Sequence, residues 1–264
     1  MTLKEKYGSL AMVAGASEGI GAAYATYLAS SGINLILVAR RKEPLELLGN
    51  ELINRYKIIV SCICCDLAND DATQQLEQAV GGKQIDFLVY NAALSYIGPF
   101  EKNSLLHHNA LAKANMVTPM NLVQVFGEQM LKRQKGAIII MASLAGFQGS
   151  GFLAAYAASK AFNRVLAESL WYEWKNRGVD IIACCAGATS TPNFIKTKPE
   201  KADFFAPRVQ SPDEVVAECF KKLGKTPSFV TGKGNKIASL IMKLMPRKMA
   251  INIMGNTTRK MYRL

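Results

Sequence analysis

Apolar residues along this chain fall into two alternating patterns. Short uninterrupted runs separate longer stretches in which apolar positions recur every three or four residues. The first pattern predicts strands at Leu10–Ala14, Asn34–Ala39, Ile58–Cys64, Asp86–Tyr90, Ala137–Met141, Val179–Cys185 and Ser228–Val230. The second predicts helices over Ile20–Ser31, Glu43–Arg55 and Asp71–Val80, a long helix ending near Arg133, another over Phe152–Asn176, and one over Pro212–Leu223. Strands that are apolar throughout should be covered on both faces. Their alternation with helices, joined by right-handed crossovers, predicts an α/β fold: a doubly wound parallel sheet of about seven strands with helices on both faces. Residues 188–210 break the rhythm with Pro192, Pro199 and Pro207 and with Phe194, Phe204 and Phe205. They read as a mobile flap over a site or as a long surface loop. The chain thus divides into one domain over 1–232 and an extension over 233–264.

Composition narrows the class. Half of the 264 residues are hydrophobic and 20% are charged, which excludes global disorder. No apolar run approaches the roughly 20 residues of a spanning helix, and no secretion signal is read at the start, so a cytoplasmic location is expected. Five of six cysteines (62, 64, 65, 184 and 185, with 219 apart) sit in strand-like runs, as buried reduced thiols would. His107 and His108 are the only histidines and have no ligand partners at metal spacing, so no metal is expected.

The net charge of +12 is almost entirely at one end. After Glu218 there is no acidic residue, and 11 Lys and Arg side chains follow it. Within 234–264, Ile237, Leu240, Ile241, Leu244 and Met245 alternate with Lys236, Lys243 and Arg247, an amphipathic basic helix interrupted at Pro246. Such a segment either lies on an anionic membrane or packs on its own domain or a second subunit. No recognition motif accompanies the charge, so no nucleic-acid partner is expected.

Chemistry concentrates at strand ends. Gly15-Ala16-Ser17-Glu18-Gly19-Ile20-Gly21 lies where the first strand meets the first helix, and glycines there let a phosphate approach the helix N-terminus. The second strand ends in Arg40 and Arg41, where a carboxylate would favour a ribose 2′-hydroxyl. Two guanidinium groups suit a 2′-phosphate, with Ser17 as a helper, unless they merely open a solvated helix. Tyr156 and Lys160 stand one helical turn apart, and Ser143 follows the fifth strand at the carboxyl edge of the sheet, where such folds bind ligands.

Together these motifs resemble the short-chain dehydrogenase/reductase family over about residues 8–232, a Rossmann-like fold. The matching pieces are Gly15-x-x-x-Gly19-x-Gly21, Asp66-Leu67, Asn91-Ala92-Ala93, Asn115, Ser143, Tyr156-x-x-x-Lys160 and Ala186-Gly187 with Thr191. Ala14, Ala93 and Ala186 depart from the usual Thr, Gly and Pro without removing a reacting group. The resemblance implies an NADP(H)-dependent enzyme that interconverts a carbonyl and a secondary alcohol. Its implied catalytic set is Ser143, Tyr156, Lys160 and Asn115. Tyr156 would act as general acid, and Lys160 would lower its pKa. A cation about 4 Å away at a dielectric of about 20 contributes roughly 4 kcal/mol, or about three pKa units. Ser143 would hold the substrate oxygen, and Asn115 a relay water. Gly15, Ser17, Gly19, Ile20, Gly21, Arg40, Arg41, Asp66, Leu67, Asn91, Ala92, Tyr156, Lys160 and Thr191 would bind the cofactor. Asp66 would contact adenine, unless it caps a helix. Asn91 would line the adenosine ribose, and Thr191 would bond the carboxamide, unless it is only a loop residue. The flap aromatics suggest a lipophilic ketone, such as a ketoacyl, steroid-like or aromatic one. The family also implies a homodimer or homotetramer built through the long fourth and fifth helices. The alternative is a catalytically silent NADP-binding sensor.

Overall fold

A computed structural model describes residues 1–197 and 208–264. The strands are β1 (Leu10–Ala14), β2 (Asn34–Ala39), β3 (Val60–Cys64), β4 (Phe87–Tyr90), β5 (Gly136–Ser143), β6 (Val179–Ala186) and β7 (Ser228–Val230). The helices are α1 (Leu3–Tyr7), α2 (Gly19–Ser30), α3 (Lys42–Tyr56), α4 (Ala72–Val80), α5 (Leu105–Ala112), α6 (Thr118–Arg133), α7 (Ala154–Trp174), α8 (Pro192–Lys196), α9 (Pro212–Lys222), α10 (Lys233–Leu244) and α11 (Arg247–Tyr262). All strands pair in parallel in the order β3-β2-β1-β4-β5-β6-β7, the expected doubly wound sheet. Strand order reverses between β1 and β4, which opens a crevice at their carboxyl ends.

Successive strand residues feed two cores. Ala11 and Val13 of β1 pack under α2, α3 and α9 with Leu28, Leu52 and Val215. Met12 and Ala14 pack under α4, α6 and α7 with Leu76, Phe126 and Ala167. Neighbouring Cys184 and Cys185 likewise enter opposite cores. Full coverage fails at β3. This edge strand is only partly covered, and it leaves Cys62 and Cys64 exposed, against the expectation of buried thiols. All six cysteines are free.

The long helix ending at Arg133 is divided. A π-helical turn over Lys113–Val117 separates α5 from α6. Pro119, at the start of α6, has no N–H, so the carbonyl four residues back, that of Asn115, has no α-helical donor. The ladder shifts to longer bonds there. Two helices, α1 and α8, lie outside the expected set. α1 carries a Thr2–Glu5 capping box that the residues announce. α8 begins at Pro192, and Pro246 separates α10 from α11, the expected interruption of the basic helical segment. Among the described residues no helix is long and apolar enough to cross a membrane.

The extension packs on the domain. An added Cβ at Gly149 would lie 3.4 Å from Ile251, and one at Gly151 would lie 3.2 Å from Gly255. Ala250 and Thr258 are buried. At 188–210 the two ends are joined, with Ser190 N donating to Gln210 O at 2.9 Å and Gln210 N to Ala188 O at 3.0 Å. Pro199, Phe204, Phe205 and Pro207 lie outside the described residues.

Candidate active site

The glycine turn closes β1 onto its neighbours. Gly15 and Ala16 donate backbone N–H groups to Val38 O at 2.8 and 3.1 Å. Gly15 has φ +82°, and a Cβ there would lie 2.6 Å from Ala92 N. A Cβ at Gly21 would lie 1.9 Å from Gly15 O. Asn91 holds this turn from β4 through Nδ2, which donates to Gly15 O at 2.9 Å. Glu18, the N-cap of α2, makes no side-chain cap, so side chains leave the first-turn N–H groups of Gly19, Ile20 and Gly21 for another acceptor. The Ile20 side chain itself packs on the core. This cradle, which only glycines can form, fits a phosphate group.

Beside it lie Ser17, Arg40, Arg41 and Asp66. Arg41 Nη2 is 2.6 Å from Glu18 Oε2 and 3.4 Å from Ser17 Oγ. Arg40 Nη1 is 3.9 Å from Asp66 Oδ2. All four side chains of these two ion pairs are partly exposed, so each pair contributes at most about 1 kcal/mol. Asp66 does not cap α4. Its Oδ1 accepts from Ala68 N at 3.0 Å in a local turn, and Asp71 is the N-cap. Leu67 is buried and its carbonyl accepts from Thr118 Oγ1 at 2.8 Å, so it supports this wall from within the core. Ala92 N donates to Ala14 O at 3.0 Å. On the other side of the turn, a Cβ at Gly19 would lie 2.9 Å from Thr191 Cγ2. Thr191 Oγ1 accepts from Phe194 N at 3.1 Å as the N-cap of α8, and its own hydroxyl hydrogen is left for another partner.

Ser143, Tyr156 and Lys160 meet at the carboxyl end of β5. Ser143 ends the strand, and its Oγ accepts from Ala145 N at 3.2 Å. Lys160 Nζ lies 5.7 Å from the centre of the Tyr156 ring. Lys160 is buried, donates to Met141 O at 2.9 Å, and has its pKa lowered to about 8 by loss of water. The expected lowering of the phenol is overturned. Burial holds Tyr156 above its ordinary value, interaction with the Ser143 hydroxyl pulls it down, and Tyr262 pushes it up. The physical reason is that the phenolate loses its water while the ammonium is directed at a main-chain carbonyl.

Asn115 stands behind them, fully buried. Its Oδ1 accepts from Leu94 N at 2.8 Å, while Nδ2 donates to Leu94 O at 2.9 Å and Ser159 Oγ at 3.0 Å. Ser159 Oγ in turn donates to Tyr156 O at 2.8 Å. Both amide hydrogens are therefore used, and Asn115 can hold a water only through an oxygen.

Four participants escape sequence reasoning. Ser159 links Asn115 to α7. Asn163 Nδ2 shares Met141 O with Lys160 at 3.5 Å. Gly146 allows the turn after Ser143 to press on α7, since a Cβ there would lie 2.7 Å from Lys160 C. Asn163 and Gly146 follow Lys160 and Ser143 by three residues each, a local signal that was available. Tyr262, more than 100 residues from Tyr156, has no such signal.

The family described as short chain dehydrogenase matches residues 9–202. A 7beta-hydroxysteroid dehydrogenase of Mediterraneibacter gnavus is 34% identical over 238 residues, covering 89% of this chain and 90% of that protein. An "inactive hydroxysteroid dehydrogenase-like protein 1" of Homo sapiens is 27% identical, over 98% of this chain and 79% of its own. A solved structure concerned with 7beta-hydroxysteroid dehydrogenase stereoselectivity superposes with a TM-score of 0.90 at 29% identity, over 96% of this chain and 99% of that one. A short-chain dehydrogenase from Sphingobium yanoikuyae in complex with NADPH gives 0.76 at 26% identity, over 84% and 86%.

Proposed function

The chain belongs to the short-chain dehydrogenase family, and from that premise we propose that it is an NADP(H)-dependent oxidoreductase that interconverts a steroid-like ketone and its secondary alcohol. The carrying observation is the convergence of Ser143, Tyr156 and Lys160 at the carboxyl edge of the sheet that also carries the glycine cradle. Likeness to 7beta-hydroxysteroid dehydrogenase supports the substrate class, and the NADPH-bound relative supports the cofactor.

The bound dinucleotide would supply or take up the hydride. The N–H groups of Gly19, Ile20 and Gly21 would hold its phosphates, and Arg40 and Arg41 with Ser17 would hold the 2′-phosphate. Asp66 and Asn91 border the adenosine side. Thr191 offers its hydroxyl hydrogen at the other end. Tyr156, held protonated by burial, gives its proton to the carbonyl oxygen as that oxygen gains charge. Ser143 shares the charge. Lys160 restores the proton to Tyr156, and Asn115 steadies a relay water through an oxygen. Exposed Met120 on α6, with Val165 and Tyr172 on α7, supports assembly into homodimers or homotetramers through these helices.

NADPH and NADH oxidation measured against a panel of ketones, a 7-oxo steroid among them, tests this reading. Wild type should turn over a steroid ketone and prefer NADPH. Arg40→Ala/Arg41→Ala should weaken NADPH use roughly tenfold to a hundredfold while leaving NADH use nearly unchanged. Preference for NADH in the wild type would refute the arginine assignment.

The pH profile tests Lys160. Below about 8 its ammonium keeps a proton to hand on, and above that value it does not. Ketone reduction should be flat up to about pH 8 and then fall about tenfold per pH unit. A wild-type profile without that break, or one whose break persists in Lys160→Met, removes Lys160 from the relay.

A catalytically silent sensor is the second reading, favoured by the relative described as inactive. The complete Ser143, Tyr156 and Lys160 set stands against it.

A further inference from the structure

We propose that the outer face of α10 docks on an anionic lipid surface. The helix is inverted relative to an ordinary surface helix. Its exposed stripe is Ile237, Leu240, Ile241 and Leu244, 62%, 60%, 48% and 81% exposed, at the i, i+3, i+4, i+7 spacing of one face. Its buried positions are polar, namely Asn235 and Ser239.

The polar side is anchored, so the helix cannot roll to bury the stripe. Asn235 fits against Gly187, where even one added carbon would lie 2.3 Å from Nδ2. Lys236 Nζ donates to Glu218 Oε2 at 2.9 Å, and Gly232 N to Glu218 Oε1 at 2.9 Å. Gln210 Nε2 reaches the same carboxylate at 3.1 Å and accepts from Thr231 through Oε1 at 2.6 Å.

Charge selects the occupant. Lys243 flanks the stripe, Lys233 precedes it, and exposed Arg247 and Lys248 follow it, while Lys236 is held by Glu218. No acidic residue lies anywhere after Glu218. A twofold contact between two copies would set this basic patch against itself. An anionic bilayer instead takes up the leucines and isoleucines and pairs with the lysines. α10 also packs against the turn that follows Ser143, so docking would bring the active site to the lipid boundary.

Co-sedimentation of the full chain with phosphatidylcholine vesicles, with and without phosphatidylglycerol, tests the idea. The chain should pellet with anionic vesicles and much less with neutral ones, and high salt should weaken the binding. Leu240→Glu/Leu244→Glu should lower that binding by roughly tenfold or more at an unchanged melting temperature. Failure to pellet, or equal pelleting of wild type and variant, would overturn the proposal. So would a wild-type oligomer that the variant splits in the ultracentrifuge without any vesicle binding, because the face would then belong to a second copy.

Discussion

Tyr156→Phe should lower kcat for ketone reduction about 10²–10⁴-fold while leaving NADPH affinity almost unchanged. The substitution removes one hydroxyl and keeps the ring, so the packing of α7 and the stacking distance to Lys160 survive. What disappears is the donor that meets the substrate oxygen. Ser143 still bonds that oxygen, but an aliphatic hydroxyl is too weak an acid to give up its proton in place of the phenol. Stopped-flow NADPH oxidation read beside fluorescence titration of the cofactor separates the two quantities. A variant that retains activity within tenfold, with binding intact, would sink Tyr156 as the general acid. A wild type that binds NADPH but turns over no ketone would favour the silent sensor.

Gly21→Ala should cost both stability and cofactor binding. The added carbon would sit 1.9 Å from Gly15 O and 2.7 Å from Asn91 Nδ2. Neither can step aside cheaply. Gly15 is bonded to Val38 O, and the Asn91 amide is bonded to that same Gly15 carbonyl. Overpacking of this kind costs about 1–3 kcal/mol, and a clash with main chain belongs at the upper end. For a chain of this size that is a fall of several degrees in Tm, at roughly 2–4 °C per kcal/mol. NADPH affinity should fall at least about a hundredfold, because relief of the clash moves the first-turn N–H groups off the phosphate. Gly49→Ala is the matched control. Its carbon meets the flexible end of Cys62 at 2.8 Å, far from the cradle, so cofactor binding should not change. Thermal unfolding and cofactor titration of the two variants check this. Equal NADPH affinity in Gly21→Ala and wild type would mean that the turn is not the phosphate cradle.

Much of the fold could be read directly, for a definite reason. Each strand of this sheet is a run of three to eight residues with a helix pattern on either side, so its position depends on its own side chains. The glycine turn was legible because positive φ and close main-chain approach demand glycine locally. Ser143, Tyr156 and Lys160 were legible because strand end and helix turn are local addresses. The long helix before Arg133 was read as continuous although Pro119 was in view. The shift to a π turn also depends on neighbours far along the chain, such as Tyr90, whose hydroxyl donates to Ala114 O in that turn.

Residue order by itself therefore determined the alternation of strands and helices, the parallel sheet, the glycine turn and the identity of the groups proposed to react. Those follow from periodicity and from backbone preferences that act over a few residues. Only the tertiary structure decided the state of those groups. It buried Lys160 against Met141 O, raised the Tyr156 phenol, brought Tyr262 within electrostatic reach of it and tied both arginines to carboxylates. It also turned the apolar stripe of α10 outward. Desolvation and Coulomb interaction depend on neighbours that chain separation does not reveal, and for that reason the residues named the chemistry while packing set its poise.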